Sequence, residues 1–467
     1  MKTFVFGIGG TGARVLRSLT LLLASGVECK STIVPVIIDP DLNNGDLTRT
    51  VTLMQRYAAV RGALNFTNNS RNKFFDTEIF EECNFRLPIN NTQNVSFQDF
   101  MDMDNMTTES KAMLKMLYSD KNLESDMIVG FKGNPNIGSI VLNQFADTEE
   151  FKNLANDFAD GDRIFIISSI FGGTGASGFP LLLKTLRKNT NIPNHGLINK
   201  AEIGAVTVLP YFKVSQDAES SIESDTFISK TRAALAYYDK NVGRDINTLY
   251  YIGDNTASQK SYDNNEGGDA QKNNAHLIEM LSALAVVDFA NTQSNVGGPV
   301  YKEFGLATDG GEKVIFSDFA PQTIDHIRKP MTQMMLFTHY MKEVSVDCLL
   351  SQQWSQDYKL DRNFFASDFI DNLRYVQNDY VTWLKEMEDN QVGFAPFTWN
   401  SNNLFDIVNG LTPTKSIFSH FKKDNYELFD ITLDKKHVSN YSETKEQKFA
   451  ELFYQATEVL VRNKFNI

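Results

Sequence analysis

The stretch Phe171-Gly172-Gly173-Thr174-Gly175-Ala176-Ser177-Gly178 follows an apolar run, Ile164 to Ser168, and precedes another, Leu181 to Leu186. The first run is continuous, as in a strand buried on both faces, whereas the second continues as an apolar helix. A strand that turns through glycines into a helix N-terminus presents unpaired backbone N–H groups and the positive end of the helix dipole. That is a setting for phosphate. Within it Thr174 and Ser177 offer hydroxyls, and Gly172, Gly173 and Gly175 let a ligand approach the backbone.

The same arrangement recurs at the N-terminus. Thr3 to Phe6 reads as a short buried strand ending in Gly7-Ile8-Gly9-Gly10-Thr11-Gly12. A helix follows, with Val15, Leu16, Leu19, Leu22 and Leu23 at helical spacing and Gly26 as its stop. The next strand, Ile33 to Ile38, ends in Asp39-Pro40-Asp41. Gly7, Gly9 and Gly12 fit the spacing G-x-G-x-x-G, and Asp39 stands where a ribose-binding acid belongs in a dinucleotide domain. Alone, this cluster supports an NAD-dependent oxidoreductase as readily as anything else. The second cluster shifts the balance, because one dinucleotide does not ordinarily need two such loops from one sheet. A nucleoside di- or triphosphate gripped from both sides does.

Here the chain resembles the tubulin/FtsZ family, whose phosphate loop reads G-G-G-T-G-[ST]-G. The central Gly-Gly-Thr-Gly is intact, Phe171 replaces the leading glycine, and Ala176 is an extra residue before Ser177-Gly178. Gly9-Gly10-Thr11-Gly12 is similar to the family's first loop, and Asp39-Pro40-Asp41 to the acidic loop near the magnesium. Gly133-Asn134-Pro135-Asn136-Ile137-Gly138 is close to the family run G-N-P-E-V-G, which wraps the terminal phosphate. Val206 to Phe212 is similar to its strand ending in proline and phenylalanine. Asp217 and Glu219 then stand at the ribose contacts, Asn255 near the base edge, and Asn274 at the residue that hydrogen-bonds guanine. These matches keep the family's order across residues 1 to about 290.

The resemblance implies an α/β fold with three layers and a mostly parallel sheet over residues 1–272, carrying a polar insertion at about 43–126. A long central helix with its linker (273–296) leads to a divergent, helix-rich α+β C-terminal domain (297–467). It further implies GTP or GDP as ligand, Mg²⁺ beside Asp39 and Asp41, and head-to-tail self-association into filaments. In the family a loop beyond the central helix supplies an acid to the next subunit's nucleotide. Two stretches are similar to it, Ser317-Asp318-Phe319-Ala320 and Asp288-Phe289-Ala290-Asn291. Asp318 fits better because a strand-like run, Lys313 to Phe316, precedes it, although Pro321 replaces the second expected acid. A nucleotide-binding switch that recruits a partner protein through the C-terminal domain is the alternative.

Composition excludes other classes. With a net charge of −13, a pI of about 5.1 and no Lys/Arg block along the chain, nucleic acid is not an expected partner. The apolar stretch around Leu19 to Ala24 is far short of a membrane span, and the N-terminal run breaks into glycines too soon for a signal peptide. Three distant cysteines and six scattered histidines give neither metal-ligand spacing nor a nucleophile–histidine pair. The expected compartment is the cytoplasm. Phenylalanine, 35 residues in all, is dense in the C-terminal third and reads as core, with a protein-contact surface as the other possibility. Further expected elements are a helix over Ser110 to Tyr118, helices at Ile324 to Val344, Phe369 to Met387 and Glu443 to Val461, and a strand at Leu428 to Leu433.

Overall fold

Seven parallel strands form the main sheet in the computed structural model. It describes residues 1–41, 43–67, 69–92, 94–127, 131, 134–214, 226–254, 261–262, 268–269, 271–293, 299–303, 306, 313–390, 392–399, 403–414 and 425–467. In chain order the strands are β1 (Lys2–Ile8), β2 (Thr32–Ile38), β3 (Arg86–Leu87), β4 (Arg163–Ser169), β5 (Ile203–Val208), β6 (Thr248–Ile252) and β7 (Val300–Glu303). Across the sheet they run β3-β2-β1-β4-β5-β6-β7. Every residue of β4 and β5 is buried, which accounts for their uninterrupted apolar sequences.

The register brings the strand ends level. Ile8 pairs with Ile38, Gly7 with Ile167, and Ser169 with Val208. The loops after β1, β2, β4 and β5 therefore leave from one edge of the sheet. Chain order reverses between β1 and β4, and that switch point is where an open α/β sheet leaves a crevice.

Helices cover both faces. On one lie α1 (Gly9–Ala24) and, further along the chain, α6 (Leu277–Asn291). Gly204 of β5 lacks a side chain where the Phe289 ring of α6 comes down on the sheet. The opposite face carries α4 (Gly173–Lys188), with α3 (Pro135–Val141) packed beside it and α5 (Phe227–Asn241) further along. Outside α1 a further layer forms from α2 (Gly45–Leu64) and α8 (Asp368–Glu388). Helix α1 is consequently buried on all sides, at Arg14 and Arg17 as well as at its leucines.

The polar run after Asp41 hides a long regular element. Helix α2 spans 20 residues, capped by Asn44, whose side chain accepts from the Asp46 and Leu47 amides. Within the same insertion a helix at Thr108–Leu117 matches the expectation there. Leu428 to Leu433, expected as a strand, belongs instead to a helix, Asn425–Asp434. Phe429 and Leu433 lie four residues apart on its buried face, a spacing that a short apolar run conceals.

In the C-terminal region α7 (Pro321–Glu343) packs against α9 (Lys445–Phe465). Phe337, Phe449 and Phe453 form a buried aromatic stack between them, with Phe337 and Phe453 centred 4.5 Å apart. These phenylalanines are core. Among the described residues no helix is long and apolar enough to cross a membrane.

Candidate functional site

The two glycine loops meet. Helix α1 starts at Gly9, whose φ of +73° belongs to the left-handed region, and α4 starts at Gly173 with Gly172 as its N-cap. A Cβ built on Gly9 would lie 3.4 Å from the Cβ of Thr174 and 3.7 Å from the Gly175 nitrogen. Both helix N-termini thus lie side by side at the switch point. Gly12 and Gly175 serve close packing. A Cβ on Gly12 would strike the Gly7 backbone, and one on Gly175 would come within 2.6 Å of the Ser169 carbonyl oxygen.

Asn134 caps α3, accepting from the Asn136 amide at 3.1 Å and the Ile137 amide at 3.4 Å, with Pro135 at the first helical position. Gly138 presses α3 against α4, since a Cβ there would meet the Ser177 hydroxyl and lie 2.9 Å from the Phe131 ring. The structure therefore joins the Asn134 run to the second glycine loop. Ser177 turns its hydroxyl into its own helix, donating to the Gly173 carbonyl at 2.7 Å, and is buried. Gly133, Asp217, Glu219 and Asn255 lie outside the described residues.

The acidic loop flanks the first glycine loop: a Cβ on Gly10 would lie 3.9 Å from the Asn44 amide nitrogen. Asp39 and Asp41 are both buried. Asp39 accepts from the Asp41 amide at 3.0 Å, while Asp41 accepts from the Asn43 amide at 3.1 Å and from the Gly268 amide at 2.6 Å. Burial pushes the Asp39 carboxyl up to about 7, with Asp41 adding repulsion. Among the described residues no three His, Cys, Asp or Glu side chains converge as a metal cage. A pair of carboxylates is what a magnesium ion needs when phosphate oxygens and water complete its shell.

Asn274 is half-buried, three residues before α6. Its neighbours are pinned by acids from two other helices: Asn273 donates its amide to Asp46 at 3.2 Å, and Ala275 to Glu386 at 3.0 Å. Arg49 also donates to the Asn273 carbonyl.

The residues that sequence reasoning passed over are the buried ions beneath these loops. Arg14 pairs with Asp46 at 2.8 Å and Glu279 at 2.5 Å, and all three are almost fully buried. Burial alone would weaken its charge. Tyr211, Glu279 and Asp46 outweigh that and hold the guanidinium above its ordinary value. Arg17 pairs with Asp379 and Glu386 of α8, each at 2.6 Å. No sequence signal set them apart: with Thr11 and Ser18 they lie along one side of α1 at helical spacing, as the solvent-facing side of a surface helix would.

The two candidate catalytic acids sit apart from the glycine loops. Asp288, in the last turn of α6, accepts from the Tyr250 hydroxyl and pairs with Lys302, each at 2.6 Å. It ties β6 and β7 to the helix. Asp318 lies in a short 3-10 turn ahead of α7 and accepts from the Ile315 amide at 2.8 Å. The strand before it, Lys313–Val314, pairs with Gly393–Phe394 in a separate two-stranded sheet.

Fold and site define a doubly wound α/β protein in which two glycine loops, each opening a helix, face one another at the switch point. No family model matches the chain, and no curated protein does. Among solved structures it is similar to CetZ from Methanosaeta thermophila, at 18% identity and a TM-score of 0.30, over 54% of this chain and 46% of that one. It is also similar to CetZ2 from Haloferax volcanii, a GTPgS-bound protofilament, at 15% identity and a TM-score of 0.31 over 64% of each chain. A third is CetZ1 from Haloferax volcanii, a GDP-bound monomer, at 14% identity and a TM-score of 0.33 over 74% of each. The chain spans less than half of the Methanosaeta protein. Strand order and register define the fold, independently of these distant likenesses.

Proposed function

We propose that the protein binds a guanine nucleotide as a tubulin/FtsZ-type GTPase and assembles head-to-tail. The observation that carries this reading is the meeting of Gly9 with Thr174 and Gly175 across the switch point. On this reading two helix N-termini share one ligand, a grip suited to a di- or triphosphate. Gly10, Thr11, Gly12, Gly172, Gly173 and Thr174 take the phosphates, Asn134 and Gly138 shape the wall at the terminal phosphate, and Asn274 reads the base. Asp39 and Asp41 would hold Mg²⁺, which neutralises developing phosphate charge. Asp318 acts on the nucleotide of the next subunit. A contact between unlike surfaces of successive copies propagates as an open filament.

A second reading is favoured by the acids themselves. Asp288 is committed to Tyr250 and Lys302, and Asp318 to its own turn. On that reading the protein binds nucleotide as a switch, without hydrolysis, and recruits a partner through its C-terminal region. Sedimentation and phosphate release with GTP separate the two. A GTPase rate per molecule that rises with protein concentration, with polymer in the pellet and loss of hydrolysis in Asp318→Ala, is expected of the first. Tight binding with neither polymer nor phosphate release supports the second.

A further inference from the structure

Arg14 stands under the site with its nitrogens divided between the first turn of its own helix and three other elements. Its Nη2 donates to the Tyr211 hydroxyl at 2.8 Å and, at a longer 3.4 Å, to the Thr11 hydroxyl in the first glycine loop. Nη1 binds Asp46 in the first turn of α2, the helix whose cap, Asn44, adjoins Gly10. Nε binds Oε1 of Glu279 in the first turn of α6. Tyr211, just beyond the end of β5, donates its own hydroxyl to that same oxygen at 2.7 Å. The other oxygen, Oε2, accepts from the His276 amide at 3.0 Å, two residues from Asn274. Asp46 in turn holds the Asn273 amide.

We infer that Arg14 is the positioning residue of the site, one buried guanidinium that fixes the phosphate side and the base side in a single geometry. The inference rests on the nucleotide-binding reading above. Stability alone does not call for such a group, because well-packed apolar side chains of similar volume commonly serve a core as well as buried ion pairs do. What apolar packing does not supply is direction. A planar guanidinium with five donors holds its partners at set angles, and here the partners are Thr11 one turn earlier in its own helix, the start of α2, Tyr211 beyond β5 and the start of α6. A lysine keeps the charge but presents a point, not a fork, and cannot serve all four at once.

The test uses the full-length chain and compares GTP with ATP. Arg14→Lys is expected to weaken GTP at least tenfold and to shrink the guanine-over-adenine preference with it, at unchanged helix content. A role confined to packing would lower the melting temperature and leave both the affinity and the preference in place. That result, in a folded Arg14→Lys protein, overturns the inference. Should that variant fail to fold, Tyr211→Phe removes one neutral partner of Arg14 without changing charge. Folded Tyr211→Phe should lose affinity and base preference several-fold, and wild-type values would overturn the inference equally. Failure of the wild-type protein to bind guanine nucleotide overturns the underlying reading and this inference with it, before any variant is made.

Discussion

Gly9 and Thr174 face each other across the switch point of the sheet so closely that a Cβ on Gly9 would lie 3.4 Å from that of Thr174, although one opens the first helix and the other the helix after the fourth strand. Neither loop alone distinguishes a dinucleotide site from a triphosphate site. On the proposed reading their approach does, because it brings two helix N-termini to one ligand.

Gly9→Ala tests that contact. An L-residue at a φ of +73° costs about 1–2 kcal/mol of backbone strain, and the new methyl reaches Thr174. The expected outcome is a stability loss of that order in urea titration, together with at least tenfold weaker GTP binding by calorimetry.

Gly138 and Ser177 should be energetically coupled. Gly138→Ala drives a methyl into the Ser177 hydroxyl and towards Phe131, an overpacking cost of roughly 1–3 kcal/mol. Ser177→Ala alone loses a hydrogen bond to the Gly173 carbonyl, about 1 kcal/mol. In the double variant the clash with the hydroxyl disappears, so the total should fall short of the sum. A double-mutant cycle measures the shortfall.

Asp39 gives the ligand-free protein a specific pH dependence. Its folded value of about 7 exceeds the ordinary aspartate value of 3.8, so the folded state holds the proton more tightly than the unfolded chain. The contribution of Asp39 is therefore complete at acid pH and is lost as pH rises through about 7, at up to about 1.4 kcal/mol per pH unit. The difference between wild type and Asp39→Asn in denaturant midpoint, followed from pH 4 to 8, should trace this loss and level off above it.

Arg17 joins α1 to α8. It lies 1% exposed against Asp379 and Glu386, and Trp383 of the same helix donates to Ser18 at 3.0 Å. Arg17→Met takes the cation from partly buried Asp379 and leaves Glu386 with Arg49 alone. Roughly 3 kcal/mol of destabilisation is expected, near the low end for a broken buried pair because both acids retain some solvent. Chemical denaturation checks the size.

These residues also mark how far the sequence could be read. Both glycine loops were legible, because an unbroken apolar strand running into glycines and then into helical spacing has few alternative structures. Helix α2 was not. Asp46, Arg49 and Thr50 make its sequence look solvent-facing, whereas Asp46 and Thr50 are buried and Asp46 with Arg49 forms ion pairs beneath the site. Periodicity counts apolar residues, so a helix that buries charge against charge escapes it. The same blindness hid Glu279 and Glu386, whose partners lie far away in sequence. Asp318 and Asp288 were visible only as similar stretches; their hydrogen bonds depend on a tertiary arrangement that no local pattern encodes.

The most direct test of the central claim is to denature the purified protein, identify any released nucleotide by chromatography, and titrate the nucleotide-free protein with GTP, ATP and NAD in the presence of Mg²⁺. The account predicts guanine nucleotide in the supernatant and tight GTP binding that Gly173→Ala or Thr174→Ala weakens. Binding of NAD alone, or of no nucleotide at all, would contradict it.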